Sequence, residues 1–382
     1  MTTSDTSPPA PRVALDVTSL LGPLTGVGVF VREIADGLAR DPGVDLRTFA
    51  VSWRGRGRLR EVTPDGARAV ARPLPARLAR AAWHRSDLVT ARQLAGPVDL
   101  VHGPNFVVPP GGGAAELVTV HDLTALHYPE MCTPDVLEWP DLLRRALDRG
   151  AWVHTVSAFV ADEVRDAFGL APDRTLVVPN GTVPPGPEVP GRDGMTGREL
   201  AGGDRYVLAL GTVDPRKDLP SLVAAFDALA PEDPDLHLAI AGADGLGTPA
   251  LVGALEASPH GHRIARLPEV DDDQRVALLR GASTVAYPSR YEGFGLVPLE
   301  AMAVGTPVVA TAVGAVPEVV GDAAVLVAPN DVDALVAGLE VALYDGPRAA
   351  RLVAAGMARV ERFAWSDTVA GLVSAYRRIL SG

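Results

Sequence analysis

Two short segments carry residue types that could hold a phosphorylated ligand. The first is Gly211-Thr-Val-Asp-Pro-Arg-Lys217-Asp218, in which a glycine opens a turn and two adjacent bases, Arg216 and Lys217, close it. A glycine turn between a strand and a helix, at the carboxyl edge of a parallel sheet, is where such folds bind phosphate. The spacing matches neither G-x-G-x-x-G nor the P-loop pattern, so no dinucleotide or Walker-type site is indicated. The same residues also fit an ordinary strand-to-helix turn with exposed bases. The second segment is Glu292-Gly-Phe-Gly-Leu-Val-Pro-Leu-Glu300, two carboxylates with seven residues between them. Gly293 and Gly295 permit backbone shapes that larger residues resist. A helix starting after them points its free amides and positive dipole end back at the loop. A diphosphate over that helix start would lie between the carboxylates, with one glutamate reaching a sugar and the other a ribose. Two unrelated surface glutamates are the plain alternative, but Glu300 sits in the apolar run Leu296–Val309, an odd place for an idle carboxylate.

Composition sharpens the first segment. All 35 basic side chains but one are arginine, and the exception is Lys217. A coding preference for arginine accounts for the bias, and chance could have left one lysine. A compact ammonium in a glycine-started loop nevertheless suits phosphate in a way that arginine's planar fork does not. His121-Asp122, at the end of a strand pattern, is either a structural pair or a functional one at a ligand-facing sheet edge. His102, His127, His154 and His237 read as structural. Asp271-Asp-Asp273 reads as an acidic helix start rather than a metal site.

The elements that must position these residues alternate between strand and helix. Strand patterns fall at Val13–Val17, Leu46–Val51, Leu100–His102, Leu117–His121, Trp152–Val156 and Leu176–Val178, with helical patterns such as Val29–Ala39 and Phe159–Phe168 between them. After Val183–Gly203, rich in Pro and Gly, the rhythm restarts with strands at Tyr206–Leu210, Leu236–Ala241, Ile264–Leu267, Thr284–Tyr287, Val308–Ala310 and Ala324–Val327. Such βαβ runs imply parallel sheets. The expected organisation is an α/β protein with Rossmann-like domains at 12–182 and 204–364, a linker at 183–203 and a terminal helix at 365–382. That helix carries Trp365, Val369, Leu372, Val373, Tyr376 and Ile379 on one face.

Bulk properties exclude several classes. The chain has 382 residues, 47% apolar and 21% charged, with a net charge of −12 that argues against a nucleic-acid partner. The single cysteine, Cys132, allows no internal disulfide and no thiolate cluster, which fits a reducing cytoplasm. Met1–Pro11 lacks the charged start and apolar centre of a signal peptide. Prolines and glycines at 298, 305, 307, 314, 317 and 321 interrupt Leu296–Asn330, so it is no membrane span. The expectation is a soluble cytoplasmic protein. Charge is uneven: arginines 54, 56, 58, 60, 68, 72, 77, 80, 85 and 92 against Glu61, Asp65 and Asp87 leave +7. That stretch is either a solvated face or a surface for anionic lipid headgroups at the inner membrane face or a phosphorylated acceptor. Trp53 and Trp83 within it fit either such an interface or the core, and the core is the favoured place for both.

Pro288-Ser-Arg-Tyr-Glu-Gly-Phe-Gly-Leu-Val-Pro-Leu-Glu-Ala-Met-Ala-Val-Gly-Thr-Pro-Val-Val resembles the E-x7-E segment of the retaining glycosyltransferases of group 1 (family 4), which have the GT-B fold. The likeness extends through Gly211-Thr-Val-Asp-Pro-Arg-Lys, Ile240-Ala-Gly-Ala-Asp, Gly314-Ala-Val-Pro-Glu, Thr25-Gly-Val-Gly, His121-Asp122 and Val156-Ser157, so that Val13 to Leu380 is covered. The resemblance implies two Rossmann-like domains facing across a cleft, with the last helix packing back toward the first domain. It implies a nucleotide-sugar donor, no metal and no cofactor beyond that donor. Arg216 and Lys217 would bind the diphosphate, with Gly211 opening their loop. Glu292 would hold the sugar and Glu300 the ribose, with the amides of Phe294, Gly295 and Leu296 assisting. His121 would lie at the sugar, and Gly26 to Gly28 would face phosphate or acceptor. Thr212 stands where many members have Arg, which passes that duty to Arg216; Val297-Pro298 inverts the commoner order, and Pro268 replaces a usual Gly.

Thr119-Val-His-Asp-Leu-Thr together with the 211–217 loop looks most like mannosyltransferases, which favours GDP-mannose as donor and a glycan or polyprenyl-linked acceptor. The rivals are a sugar-nucleotide 2-epimerase on the same fold and a catalytically silent sugar-nucleotide binding protein. A nicotinamide dehydrogenase lacks its G-x-G-x-x-G after the first strand.

Overall fold

The computed structural model describes residues 10–182, apart from 23, 54 and 73, together with 193–382. The start of the expected N-terminal tail, residues 183–192 of the expected linker, and Arg54 lie outside the described residues, as does the side chain of Arg56. The chain divides into two compact units. One comprises residues up to Leu123, Pro134–Gly181 and Trp365–Gly382; the other comprises Thr124–Thr133 and Thr182–Ala364.

The first unit is built on a parallel sheet of strands β1 (Arg12–Asp16), β2 (Asp45–Phe49), β3 (Arg68–Ala69), β4 (Leu100–Gly103), β5 (Ala115–Val120), β6 (Trp152–Thr155) and β7 (Thr175–Val177), in the order β3-β2-β1-β4-β5-β6-β7. Apolar side chains alternate to its two faces. Val13, Leu15, Leu100 and Leu117 pack with Phe30, Ile34 and Leu38 of the helix Gly26–Arg40. Val101, Val118, Val120 and Val153 pack on the other side with Leu142, Leu143, Val160 and Val164. Fully burying one such side chain is worth about 1.5–3 kcal/mol. The last helix, Trp365–Ser381, completes the first of these layers through Val369, Leu372, Val373, Tyr376 and Ile379. Its close approach depends on Gly37, where a Cβ would run into Val369.

A hydrogen-bonded chain crosses the interior of this unit, and its direction can be derived. His154 Nε2 lies 2.9 Å from the carbonyl of Val178, which can only accept, so Nε2 carries the proton. Burial lowers the pKa of His154 to about 4, so the ring is neutral and its Nδ1 accepts from Thr119 Oγ1 at 2.9 Å. The one proton of Thr119 is then committed, and His102 Nε2 must donate to Thr119 at 2.7 Å. Burial also keeps His102 neutral, so its Nδ1 accepts from the Tyr376 hydroxyl at 2.8 Å. The chain therefore runs one way, from the terminal helix through β4, β5 and β6 to the end of β7, with every member satisfied. These two histidines are structural, as the sequence suggests.

The second unit carries β8 (Arg205–Leu210), β9 (Leu236–Ala241), β10 (Ile264–Leu267), β11 (Thr284–Tyr287), β12 (Val308–Thr311) and β13 (Val325–Val327), all parallel, in the order β10-β9-β8-β11-β12-β13. Val207, Ala209, Leu238, Ile240 and Val309 meet Leu222, Phe226 and Leu339 from the covering helices. In each sheet the order reverses beside the first strand, between β1 and β4 and between β8 and β11. The crevice outside the carboxyl ends at such a reversal is where open α/β sheets bind ligands.

Three expectations are corrected. Residues 193–201 form a helix, not linker, and it packs on the helix Asp272–Gly281. Close backbone approach at Gly197, where a Cβ would meet the carbonyl of Ala277, holds it there instead of a clear apolar stripe. Residues 124–133 belong with the second unit. The two-residue edge strand β3 was not foreseen, being too short to show alternation.

Candidate functional site

Strand β8 delivers the chain to Gly211, whose φ of 131° an L side chain would resist. A tight turn, Pro215–Lys217, leads to Asp218, which adopts the left-handed conformation (φ 47°, ψ 42°) before the helix Leu219–Leu229. Aspartate before a first helical turn is a residue type that caps helices. Asp218 holds the cap position, but a left-handed backbone aims its carboxylate elsewhere, onto Ser221 Oγ (2.9 Å) and Arg290 Nη2 (2.7 Å). Strand β11 delivers the loop 288–295. Arg290 ties it to the first loop twice, since its amide also donates to the carbonyl of Arg216 at 2.7 Å.

Glu292 is the buried centre of this junction. Its Oε2 lies 2.7 Å from Arg216 Nη1, its Oε1 2.5 Å from Lys217 Nζ, and Ser289 Oγ donates to Oε1 at 2.7 Å. The Lys217 ammonium also donates to Tyr287 Oη at 2.9 Å and lies 4.4 Å from the centre of that ring. The backbone of Glu292 is held as well. Its carbonyl accepts from Ala315 N at 2.9 Å and fills the place where Gly314, at φ 53°, lacks a Cβ.

The electrostatics follow from burial against charge. Burial alone would push the Glu292 carboxyl up, but Arg216 and Lys217, with the hydrogen bonds of Lys217 and Ser289, hold it at about 2. Burial lowers the Lys217 ammonium to about 8 against the pull of Glu292. Burial, with Glu292 nearby, drives the Tyr287 hydroxyl well above its ordinary value. An uncompensated ammonium and guanidinium would be costly at this depth. Glu292 therefore acts as internal counterion to the two bases; with Lys217 protonated these three residues retain one net positive charge, and the Asp214 carboxyl, whose pKa burial raises, acts on both bases from the same turn.

The helix Leu296–Ala303 begins beside this cluster. Gly295 holds its cap position at φ 109°, and no side chain caps it. Phe294 is buried edge-on to Phe363 with ring centres 5.9 Å apart, so its ring serves packing and only its backbone is available to a ligand. Glu300, one turn into the helix, is largely buried and pairs with Arg275 of the helix Asp272–Gly281. Asp271 caps that second helix, accepting from Gln274 N at 2.8 Å, while Gln274 Oε1 accepts from Asp271 N at 3.1 Å. The acidic triplet is a helix start, as expected. Among the described residues no group of three or more His, Cys, Asp or Glu side chains could hold a metal ion.

The structure thus brings together Gly211, Arg216, Lys217, Glu292, Phe294, Gly295, Leu296 and Glu300 in the second unit. His121, Gly26 and Gly28 belong to the first. His121 follows β5; its Nε2 donates to the carbonyl of Pro104 at 2.8 Å and its ring meets Phe30 edge-on. Burial lowers its pKa, leaving a neutral ring whose Nδ1 is an acceptor. Gly26 and Gly28 are not a separate loop, because the helix expected from Val29 already begins at Gly26. The Gly28 amide is used by Thr25 Oγ1 at 3.3 Å. Sequence reasoning missed Ser289, Arg290 and Arg275. Ser289, three residues before Glu292, was within reach of a local argument; the other two act across long separations.

The Arg-rich stretch is mostly solvated. Arg58 pairs with Glu61, Arg72 donates to Gln93, and Arg80 pairs with Glu138. Arg60, Arg68, Arg77 and Arg85 are exposed. Trp83 is buried and donates to the carbonyl of Val89, as expected. Trp53 is not in the core but 52% exposed, and Leu78 and Leu88 are exposed too. Among the described residues no helix is long and apolar enough to cross a membrane.

Comparisons with known proteins bear on both halves. The profile of glycosyl transferases group 1 matches residues 196–359, and that of glycosyltransferase family 4 matches residues 24–184. The O-antigen chain mannosyltransferase B of Escherichia coli is 32% identical over 73% of this chain and 74% of its own length. A D-inositol 3-phosphate glycosyltransferase of Segniliparus rotundus is 31% identical over 69% of this chain and 61% of its own length. An MMP alpha-(1->4)-mannosyltransferase of Mycolicibacterium hassiacum is 34% identical over 59% of this chain and 54% of its own. Among solved structures, sucrose-phosphate synthase from Thermosynechococcus elongatus superposes with a TM-score of 0.75 at 21% identity, covering 97% of this chain and 99% of that one. The Anabaena protein HepE, in complex with UDP and glucose, gives 0.72 at 18% identity, covering 96% and 100%.

Proposed function

Because this chain belongs to the group 1 glycosyltransferases of family 4, we propose that it transfers a hexose, mannose first, from a nucleoside-diphosphate sugar to a glycan or polyprenyl-linked acceptor with retention of configuration. The observation that carries this reading is the buried Arg216–Lys217–Glu292 cluster, with its surplus positive charge, beside an uncapped helix start at the β8–β11 reversal.

As the bond from the anomeric carbon to the donor phosphate breaks, negative charge collects on the departing diphosphate. Lys217, Arg216 and the amides of Gly295 and Leu296 would stabilise it, and such preorganised donors act strongly where water is excluded. Diphosphate would draw the two bases partly off Glu292 and free that carboxylate to accept hydroxyls of the sugar. Glu300 takes the ribose, and neutral His121 offers Nδ1 to a hydroxyl. Holding the acceptor hydroxyl near the anomeric carbon supplies the orientation term. No metal and no cofactor beyond the donor enter this scheme.

Mannose is favoured by two relatives that are mannosyltransferases, and GDP as its carrier by the likeness of residues 119–124 and 211–217 to that class, while the UDP and glucose held by HepE keep the UDP sugars in the comparison. The exposed arginines with Trp53, Leu78 and Leu88 support peripheral contact with an anionic membrane, each base near such a surface being worth about 1 kcal/mol. Binding to neutral and anionic vesicles alike would dismiss that contact.

The test is a donor panel. GDP-mannose should raise the melting temperature more than UDP-glucose or a dTDP sugar, and NMR of the product should show the donor's anomeric configuration kept. An inverted product would overturn the mechanism, and silence toward every donor would overturn the function. Epimer appearing from donor alone would instead establish the isomerase.

A further inference from the structure

Glu300 does not stand alone. Its carboxylate is largely buried, with 19% of the side chain exposed, and its Oε2 is bonded by Nη2 of Arg275, itself 26% exposed. The two residues come from different helices, Asp272–Gly281 and Leu296–Ala303, and are separated by 25 positions. Arg275 Nε is buried and has no hydrogen-bond partner in the structure. A guanidinium that grips one oxygen of a largely buried carboxylate fixes that carboxylate's orientation and leaves the other oxygen to accept from a ligand.

We propose that Arg275 is the positioning residue of the nucleoside subsite: it orients and neutralises Glu300, leaving Oε1 for the ribose hydroxyls. This rests on the ribose role given to Glu300 above. Nothing in the 211–217 loop or the 288–300 segment indicates Arg275, which comes from the helix that Asp271–Asp273 begin. The charged and titratable groups that act on Glu300 are Arg275, Asp272 on the same helix as Arg275, and Tyr287 at the end of β11. Burial raises the Glu300 carboxyl and Arg275 opposes the rise, so loss of Arg275 lets it climb further.

The experiment uses the full chain with GDP or UDP, whichever binds more tightly, and its 2′,3′-dideoxy analogue, titrated calorimetrically from pH 6 to 8. The wild type should prefer the ribonucleotide. Arg275→Gln should lose about tenfold in ribonucleotide affinity while holding the dideoxy analogue nearly as before. Its remaining preference should weaken further as pH falls, since a protonated Glu300 accepts fewer hydrogen bonds. Glu300→Gln should abolish the preference at every pH, and the double variant should be no worse than Glu300→Gln alone. Arg275→Lys, which restores charge without the fork, should recover part of the preference and guards against a variant that does not fold. A wild-type preference and pH profile in Arg275→Gln would overturn the proposal. An unchanged preference in Glu300→Gln would sink the ribose assignment, and this inference with it.

Discussion

Each unit buries a polar network where its sheet meets a packed helix or loop, and the two networks are built on opposite terms. Tyr376, His102, Thr119 and His154 are all neutral, and each proton has a determined acceptor ending at the Val178 carbonyl. Arg216, Lys217 and Glu292, with Ser289 and Tyr287, are charged, and two cations share one carboxylate. A closed, neutral chain can fix structure but has nothing left to offer a ligand. A charged cluster with a cation in excess is stable only because it is partly compensated, and an arriving anion completes it. Burial alone does not distinguish a site from a staple; unbalanced charge does.

The comparison is easiest to break at Lys217. Lys217→Ala should remove an ammonium–phosphate contact and lower the transfer rate by about 30- to 1000-fold, corresponding to roughly 2–4 kcal/mol, with little change in melting. An active variant with normal donor affinity would refute the assignment. Tyr376→Phe should behave conversely. It leaves His102 Nδ1 buried without a donor, costing about 1–3 kcal/mol in urea unfolding, while turnover per folded molecule stays at the wild-type level. A variant equally stable but slow would place the neutral chain in catalysis.

Acid and base should also separate the two networks. The Lys217 ammonium titrates at about 8 and binds phosphate only when charged. Nucleoside diphosphate affinity should therefore fall as pH rises through 8, by up to about tenfold per unit, with proton uptake on binding near that pH. His154 has its folded pKa lowered to about 4, below the ordinary value of 6.5. Its neutral form stabilises the fold above 6.5, and that contribution is lost as pH falls from 6.5 toward 4. Affinity should thus fail at the alkaline end and stability at the acid end; affinity flat from pH 7 to 9 would count against the charged cluster.

Much of this was legible in the sequence because it is local. Twelve strands announce themselves by short apolar runs, and the 211–217 and 292–300 segments by glycines beside charge. What was hidden is long-range. That Glu292 neutralises Lys217, 75 residues away, depends on β8 and β11 lying side by side, which spacing alone does not reveal. The helix at 193–201 was hidden for a different reason, since it packs through the absence of a side chain at Gly197. Trp53 was misjudged because aromatic character favours burial on average, not at a given position.

The terminal helix has a consequence for how the protein is made. Val369, Leu372, Val373, Tyr376 and Ile379 fill a core whose other walls are the helix Gly26–Arg40 and strands from β1 to the end of β7, all within the first 178 residues. During synthesis most of this unit emerges first, yet its last layer and the donor of its hydrogen-bonded chain are translated only after the second unit. The unit must wait on the ribosome, partly open, through nearly 200 further codons. A chain cut short within the second unit therefore exposes apolar surface at Phe30, Ile34 and Leu38, the mark by which proteases and chaperones find unfinished protein.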